Sequence, residues 1–276
     1  MSYVNATRLS TVKFRAPDLD QMQNFLIEFG MLLSSRDSKV LRMSGHGNSG
    51  CIHLTELGEP AFLGFGLVVP DDAALDHLAL QTGEKITQAD YKRTVFLTDP
   101  NGYEIAVTVE SQDTTSAKEY SVPKINYPNA TNRVAETKRR ISGPSQIMRL
   151  GHVVLNVANF RESESWYKSH FGFLTSDEIE SQPGVSIGAF MRLNVGNNAT
   201  DHHSLFLLET PGDPSLNHAA FEVSDVDDLM LGHDHLRSRG REHAWGVGRH
   251  ILGSQVFDYW KDPWGHELEH FSDGDR

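Results

Sequence analysis

The sequence contains a single cysteine, Cys51, among its 276 residues. One thiol excludes an intramolecular disulfide and is typical of proteins from a reducing compartment. No run of 18 apolar residues occurs, so the sequence predicts no transmembrane helix and no membrane partner. The N-terminal stretch MSYVNATRLSTVKF lacks the apolar core of a signal peptide. We therefore expect a cytoplasmic protein.

Basic residues are also scarce, because 25 Lys and Arg stand against 37 Asp and Glu and give a formal net charge of −12 at pH 7. Nucleic-acid-binding proteins need a basic face, so this balance argues against a nucleic-acid partner. Histidine is abundant but unevenly placed: of 14 histidines, only His46, His53 and His77 precede residue 150. This asymmetry predicts that the chemistry lies in the C-terminal half.

The chain repeats itself at several places. The segments FLTDPNGYEIAVTVE and YWKDPWGHELEHF share the pattern Asp-Pro-X-Gly-X-Glu before an alternating strand. Residues 11–31 resemble residues 150–173, and each segment reads as a strand, an amphipathic helix and a glycine stop. Residues 62–80 and 217–236 also match, with Asp residues as helix caps. The pattern predicts an α+β protein of four strand–helix–strands units.

These units start near residues 10, 61, 149 and 216, and we expect them to pair into two domains. The predicted organisation is an N-terminal domain over 1–110, a linker over 111–148 and a C-terminal domain over 149–276. The linker is polar, contains three prolines and shows no periodicity. Within it we predict one helical turn around Asn132 to Lys138.

The two halves differ at matching positions of three strands. Each difference places a metal-ligand type of residue in the C-terminal copy alone. The aligned pairs are His152 and Lys13, His218 and Gly64, and Glu269 and Ala106. Alternation along a strand puts these side chains on the inward face. Two imidazoles and one carboxylate form the ligand set of non-haem Fe(II) oxygenases, and Mn(II) or Zn(II) fits the same set.

Around these residues the sequence resembles the vicinal oxygen chelate superfamily, and within it the type I extradiol ring-cleavage dioxygenases. GHVVLNV carries His152, NHAAFEVSD carries His218 and GHELEHF carries Glu269. The resemblance implies tandem βαβββ units paired into two barrel-like domains. It also implies that the C-terminal barrel is catalytic and binds the metal, whereas the N-terminal barrel has no metal site.

Three further residues match this family in order and spacing. DHHSLFLLE places His203 where the family has a histidine that handles protons beside dioxygen. His250 in GRH and Tyr259 in FDYW match residues that contact the substrate hydroxyls. The resemblance implies ring cleavage of a catechol-type substrate with O2 at a mononuclear Fe(II) or Mn(II) site, in a homo-oligomer. A more apolar run after His250 than in relatives acting on biphenyl-type diols leaves the substrate class open.

Two other functions compete with ring cleavage. A non-oxidative metal enzyme of the same superfamily, such as an isomerase, epimerase, glyoxalase or thiol transferase, would use the triad with Zn(II), Ni(II) or Mn(II). Such an enzyme would be indifferent to replacement of His250 or Tyr259. A binding module for a planar ligand would have no turnover, and such modules usually lack a complete ligand triad.

Several residues near the candidate site receive no catalytic role from the sequence. We expect His202 to point away from His203 into solvent, because neighbouring residues of a strand alternate. The helix after residue 225 has histidines with a spacing typical of an exposed face. Three aromatic residues fit either a substrate pocket or the core. The histidines are His233, His235 and His243, and the aromatic residues are Phe190, Trp245 and Trp260.

Overall fold

The computed structural model describes residues 2–47, 50–89, 92–109, 124–137 and 142–276. Within these residues the chain forms sixteen strands and four helices. The elements of the N-terminal half are β1 (Arg8–Ala16), α1 (Leu19–Phe29), β2 (Leu32–Arg36), β3 (Val40–Ser44), β4 (Cys51–Leu57), β5 (Ala61–Val69), α2 (Asp72–Thr82), β6 (Ile86–Ala89), β7 (Lys92–Thr98) and β8 (Glu104–Val109). The elements of the C-terminal half are β9 (Ile147–Val157), α3 (Phe160–Phe171), β10 (Leu174–Gln182), β11 (Val185–Arg192), β12 (Leu205–Glu209), β13 (Ser215–Val223), α4 (Val226–Ser238), β14 (His243–Arg249), β15 (Val256–Lys261) and β16 (Glu267–Ser272).

The strands form two eight-stranded sheets with the same strand order. The first sheet runs β2-β3-β4-β1-β5-β8-β7-β6, and the second runs β10-β11-β12-β9-β13-β16-β15-β14. In both sheets the two central strands are antiparallel, and each pairs in parallel with the last strand of its own unit. The prediction of four paired βαβββ units is therefore confirmed, and their first strands begin at Arg8, Ala61, Ile147 and Ser215.

Local sequence explains where the helices begin and end. Each helix is preceded by a residue whose side chain accepts hydrogen bonds from backbone N–H groups of the first turn, and these caps are Asp18, Asp71, Asn159 and Asp225. The predicted glycine stops are confirmed for α1 and α3, because Gly30 and Gly172 adopt the left-handed conformation. Between cap and stop, α1 buries one apolar stripe against its sheet: Leu19, Met22, Phe25, Leu26 and Phe29.

The two halves pack against each other through helices and sheet ends. Nε2 of His270 donates a hydrogen bond of 2.7 Å to the carbonyl oxygen of Phe29, and the two rings stack 3.9 Å apart. On the other side, the hydroxyl of Tyr167 in α3 donates to Asp99 Oδ2 at 2.9 Å. Because these contacts join buried groups, they fix the orientation of one sheet relative to the other.

The segment between the sheets has little regular structure where it is described. Tyr127 and Ala130 form an isolated bridge. The helical turn predicted around Asn132 to Lys138 is wrong for residues 132–137, which are not helical, and Lys138 lies outside the described residues. Short polar side chains there bond the backbone of the segment instead, as Asn126 does to Asn132 and Arg133.

The predicted domain boundaries stay a prediction. The first sheet ends at Val109 and the second begins at Ile147, both close to the predicted limits. No helix in the described ranges has the length and apolar character needed to cross a bilayer.

Candidate metal centre and its surroundings

Three adjacent strands at the centre of the second sheet supply the candidate ligands. His152 lies on β9, His218 on β13 and Glu269 on β16. Both His152 and Glu269 are directly opposite Ala220 in the strand register, and His218 lies two residues before Ala220 on the same face. The small side chain of Ala220 leaves room between them. All three ligand candidates are buried.

The three side chains converge on one point. Oε2 of Glu269 lies 3.0 Å from Nε2 of His152 and 3.1 Å from Nε2 of His218. The two Nε2 atoms are 3.4 Å apart. The triad predicted from the sequence is therefore brought together, in the arrangement that a single small cation requires.

The surrounding bonds favour the protonation states that bind a metal. Nδ1 of His218 can donate to Oδ1 of Asn217 at 2.8 Å, which leaves the Nε2 lone pair facing the triad. Burial lowers the pKa of His152 and keeps its imidazole neutral. Burial alone would raise the pKa of Glu269, but the facing imidazoles of His152 and His218 outweigh it and hold that pKa below its usual range.

Two buried atoms in the triad accept or donate no hydrogen bond in the described part of the chain, namely Nδ1 of His152 and Oε1 of Glu269. Buried polar atoms are rarely left unpaired in folded proteins. A divalent cation on the Nε2 and carboxylate donors would compensate the buried charge of Glu269. The donor set and the unpaired carboxylate oxygen therefore fit a metal ion.

His203 lies beside the triad, in the segment just before β12. Its ring centroid is 4.3 Å from that of His152, and the edge of Phe190 packs against it at 5.0 Å. Burial, followed by the neighbouring imidazoles of His152 and His202, lowers the pKa of His203 well below 6.5. A neutral imidazole in this position can accept a proton.

His250 and Tyr259 form a second pair beside the triad. Nε2 of His250 lies 3.0 Å from the hydroxyl of Tyr259 and 3.8 Å from Oε1 of Glu269. The ring of Tyr259 stands edge-on to His218, with centroids 5.0 Å apart. Burial, and then the negative charge of Glu269, raises the pKa of Tyr259, so its hydroxyl stays a hydrogen-bond donor. The pair predicted from the sequence therefore lies beside the triad.

The aromatic candidates divide between the pocket and the core. Phe190 contacts His203, and Trp245 is largely exposed with its ring 5.6 Å from that of Tyr259. Both can contact an aromatic ring that enters the site. Trp260 is fully buried on the opposite face of β15, where it packs against His243. Alternation along the strand separates Trp260 from the pocket.

The prediction for His202 is wrong. His202 is half-buried, and its Nδ1 lies 3.1 Å from Nδ1 of His203. Its Nε2 lies 2.7 Å from Oδ2 of Asp177, which reaches the surface. The alternation rule does not apply, because residues 202 and 203 precede β12 instead of belonging to it. A chain of hydrogen-bonding groups thus leads from His203 to solvent.

The strand register also corrects one aligned pair. The register places Lys13 opposite Gly64 in the first sheet and Val154 opposite His218 in the second. The counterpart of His152 is therefore Thr11 instead of Lys13. The correction preserves the face, because residues 11 and 13 lie on the same side of a strand.

The sequence also missed a cluster on the outer side of the second sheet. His233 and His243, which had been predicted to lie on an exposed face, both contact the buried carboxylate of Asp258. The internal repeat could have indicated this cluster. It aligns Asp258 with Val95, so a carboxylate stands where the first half has an apolar residue.

Known proteins resemble this chain in sequence and in fold. Residues 149–270 match the model of the Glyoxalase/Bleomycin resistance protein/Dioxygenase superfamily. The chain is 27% identical over 265 residues to Metapyrocatechase 2 of Cupriavidus necator, covering 94% of this chain and 78% of the relative. It is 29% identical over 131 residues to the Iron-dependent extradiol dioxygenase of Rhodococcus jostii (strain RHA1), covering 45% of this chain and 43% of the relative.

Among solved structures, the Mn(II)-bound glyoxalase from Novosphingobium aromaticivorans superposes with a TM-score of 0.75 and 20% identity, over 98% of this chain and 83% of that chain. At this identity the likeness shows the fold alone. Together with the matched family model, it confirms the predicted fold. Over residues 149–270, the resemblance to the Glyoxalase/Bleomycin resistance protein/Dioxygenase superfamily that the sequence predicted is confirmed.

Proposed function

We propose that this protein is an extradiol dioxygenase, which cleaves the aromatic ring of a catechol-type diol with O2 at a mononuclear Fe(II) site. One observation carries the proposal: His203 and the His250–Tyr259 pair lie beside the His152–His218–Glu269 triad. The iron-dependent and extradiol relatives support the same chemistry.

His152, His218 and Glu269 would hold the metal through two imidazole nitrogens and one carboxylate. Bound iron would supply a Lewis acid that lowers the pKa of the diol hydroxyls and a redox centre for the reaction with O2. Mn(II) fits the same donors, because the set contains no ligand that discriminates between the two ions.

We assign the His250–Tyr259 pair to binding and orienting the diol. The hydroxyl of Tyr259 remains protonated and can donate to a negatively charged substrate oxygen. Burial lowers the pKa of His250, so its neutral Nε2 can accept a proton from a substrate hydroxyl. Their 3.0 Å contact keeps the two groups in one fixed arrangement before substrate enters.

We assign His203, which lies beside His152, to proton transfer. Its neutral imidazole accepts a proton at one stage and returns it at another, as general acid–base catalysis requires. The edge of Phe190 restrains the ring of His203. The contacts through His202 to Asp177 give that proton a route to the surface.

The aromatic walls are suited to a planar substrate. Phe190 packs against His203, and Trp245 packs 5.6 Å from Tyr259 and 4.5 Å from Phe257. Aromatic side chains in these positions favour an offset-stacked or edge-on substrate ring.

The rival function is a non-oxidative enzyme of the same superfamily, for which the fold likeness to a Mn(II)-bound glyoxalase gives a specific reason. Such an enzyme needs the triad, but its reaction does not need the His250–Tyr259 pair. We also expect a homo-oligomer and a cytoplasmic location. Sedimentation of the purified protein tests the oligomeric state.

The test is anaerobic loading with Fe(II), followed by mixing with air-saturated buffer and a panel of catechols. We expect equimolar uptake of O2 and appearance of a yellow ring-opened product, both abolished in Glu269→Ala. The matched control is Glu104→Gln, which changes a carboxylate on the equivalent strand of the first sheet and should leave turnover unchanged. Iron binding without O2 uptake from any catechol would favour the non-oxidative rival.

A further inference from the structure

A second cluster of metal-ligating side chains lies on the outer side of the second sheet, behind the strand that carries Tyr259. His233 comes from α4, His243 from β14 and Asp258 from β15. Their potential ligand atoms all lie within 4.8 Å of one another. The cluster is separate from the triad, because Asp258 and Tyr259 point to opposite faces of β15.

The carboxylate of Asp258 is fully buried and oriented by an indole. Nε1 of Trp260 donates to Oδ2 at 2.6 Å. Oδ1 lies 2.7 Å from Nε2 of His243 and 3.3 Å from Nδ1 of His233. Nδ1 of His233 also lies 3.2 Å from Oδ2, so Oδ1 faces both imidazoles and Oδ2 faces the indole and His233. A carboxylate held in this way can bind a metal through Oδ1 while the indole of Trp260 orients it through Oδ2.

The cluster resembles the triad in its dimensions. The rings of His233 and His243 have centroids 5.0 Å apart at an interplanar angle of 68°. The corresponding values for His152 and His218 are 5.5 Å and 78°. Each pair of imidazoles presents its nitrogens to one oxygen of a buried carboxylate. The two groups therefore offer the same donor types at similar spacing.

The first sheet shows which kind of residue is sufficient for folding at the position of Asp258. Asp258 lies opposite His270 in the second sheet, and the matching pair in the first sheet is Val95 and Val107. Both valines are fully buried, so an apolar pair is sufficient to pack a helix on this face of the sheet. A buried carboxylate in place of valine is costly unless a cation compensates it. Its bonded partners in the described residues are imidazoles and an indole, none of which has a permanent charge.

We propose that His233, His243 and Asp258 form a second divalent-metal site. Two imidazoles and one carboxylate suit a borderline transition-metal ion, with Zn(II) as the first candidate and a water molecule at the open position. The side chains of His233 and His243 are 14% and 31% exposed, which provides an entry path. A bound ion would join α4 and β14 to β15, the strand that carries Tyr259.

The test is metal counting on the Fe(II)-loaded protein under anaerobic conditions. Zn(II) is added, excess metal is removed by gel filtration, and iron and zinc are measured separately in each chain. We expect one iron and one zinc in the wild-type protein. His243→Ala should keep the iron and lose the zinc, with zinc affinity at least about 100-fold weaker. His77→Ala, an exposed histidine on α2, is the control and should bind zinc as the wild-type protein does.

A second variant separates metal binding from a hydrogen-bond network. His243→Gln retains an N–H donor for Asp258 but removes the imidazole, so the proposal requires loss of zinc in this variant as well. Iron content reports the integrity of the fold in each variant. Failure of the wild-type protein to retain zinc while it retains iron would overturn the proposal. Equal zinc in wild type, His243→Ala and His243→Gln would overturn it too. The zinc count does not depend on whether catechols are cleaved.

Discussion

The two sheets of this protein have the same strand order and matching registers, yet among the described residues only the second one assembles a metal-ligand triad. Where the second sheet has His152, His218 and Glu269, the first has Thr11, Gly64 and Ala106. The first sheet therefore forms the same architecture without any of the three ligands. Strand pairing and core packing set the backbone geometry, and the site depends on side chains placed on it.

The first sheet also differs from the second in its backbone and in its other side chains. Substituting the three ligand residues into the first sheet would therefore not reproduce the triad. Gly64, the counterpart of His218, has φ of +149°, and a Cβ there would lie 1.9 Å from the carbonyl oxygen of Glu104. Nearby, Nζ of Lys13 forms ion pairs with Glu56 at 3.0 Å and Glu104 at 3.1 Å. A cavity of about 1140 Å³ lies over this face. Open space alone thus does not make a metal site, because the backbone must also accept the ligand.

The largest effect is expected when a triad residue of the second sheet is replaced by the matching residue of the first sheet. His152→Thr introduces the side chain of Thr11, the counterpart of His152, and removes one imidazole from the triad. We expect loss of stoichiometric iron and a fall in kcat/KM of roughly 1000-fold or more. Iron content and O2 uptake measure this change. The reciprocal variant Thr11→His should neither bind iron nor alter turnover, since Gly64 and Ala106 supply no further ligand. Stoichiometric iron in His152→Thr would show that the triad assignment is wrong.

The second-largest effect is expected at His203, the proposed proton-transfer residue. We assign this role to no residue of the first sheet. His203→Gln removes the imidazole but keeps a polar side chain of similar reach. We expect kcat to fall by roughly 100- to 10,000-fold with little change in iron content, because general acid–base catalysis contributes about this much. His202→Ala should have a smaller effect and shift the pH dependence of kcat. An unchanged kcat in His203→Gln would remove His203 from the mechanism.

A third prediction concerns the glycine that distinguishes the two central strands. Gly64→Ala combines a positive φ with a backbone clash, so we expect the free energy of unfolding to fall by roughly 3 kcal/mol. Gly102→Ala is the matched control, because its φ is +89° but no heavy atom lies within 4 Å of the added Cβ. The control should lose about 1 kcal/mol. Chemical denaturation of both variants measures the difference, and equal losses would contradict the clash.

The smallest expected effect concerns a buried histidine of the first sheet. His53 occupies the position of Leu205, and its ring stacks on Phe14 with centroids 4.9 Å apart. Burial lowers the pKa of His53 to about 3 from 6.5. Below pH 6.5 the unfolded chain binds a proton that the folded chain does not, so stability is lost as the pH falls from 6.5 toward 3.

His53→Leu introduces the residue of the second sheet and removes this linkage. Between pH 7 and pH 5, the wild-type protein should lose about 2 kcal/mol more of its free energy of unfolding than the variant does. Urea titrations at several pH values test the expectation. His77→Ala, which removes an exposed histidine of α2, is the matched control for the loss of a histidine. Parallel curves for wild type and His53→Leu would show that His53 does not contribute.

Much of the fold and of the site could be predicted because the two halves of the chain can be compared with each other. The repeat located four units, and the caps Asp71 and Asp225 located helix starts before any tertiary contact was known. Alternation along strands identified the inward face of β16, and the difference between halves selected Glu269. The alignment of β1 with β9 was two residues in error, since a short apolar strand matches its neighbour in more than one register.

The unit pattern, the helix limits and the residue types that reach the inner face can be read from the amino-acid order, because they follow from local periodicity and local hydrogen bonds. The contact of His152 with Glu269, 117 residues away and 3.0 Å apart, appears only once the chain has folded. The same holds for the contact of His202 with His203 and for the contacts of His233 and His243 with Asp258. Such contacts depend on how strands from different units pair and on how helices pack over them, and no local pattern encodes that distance.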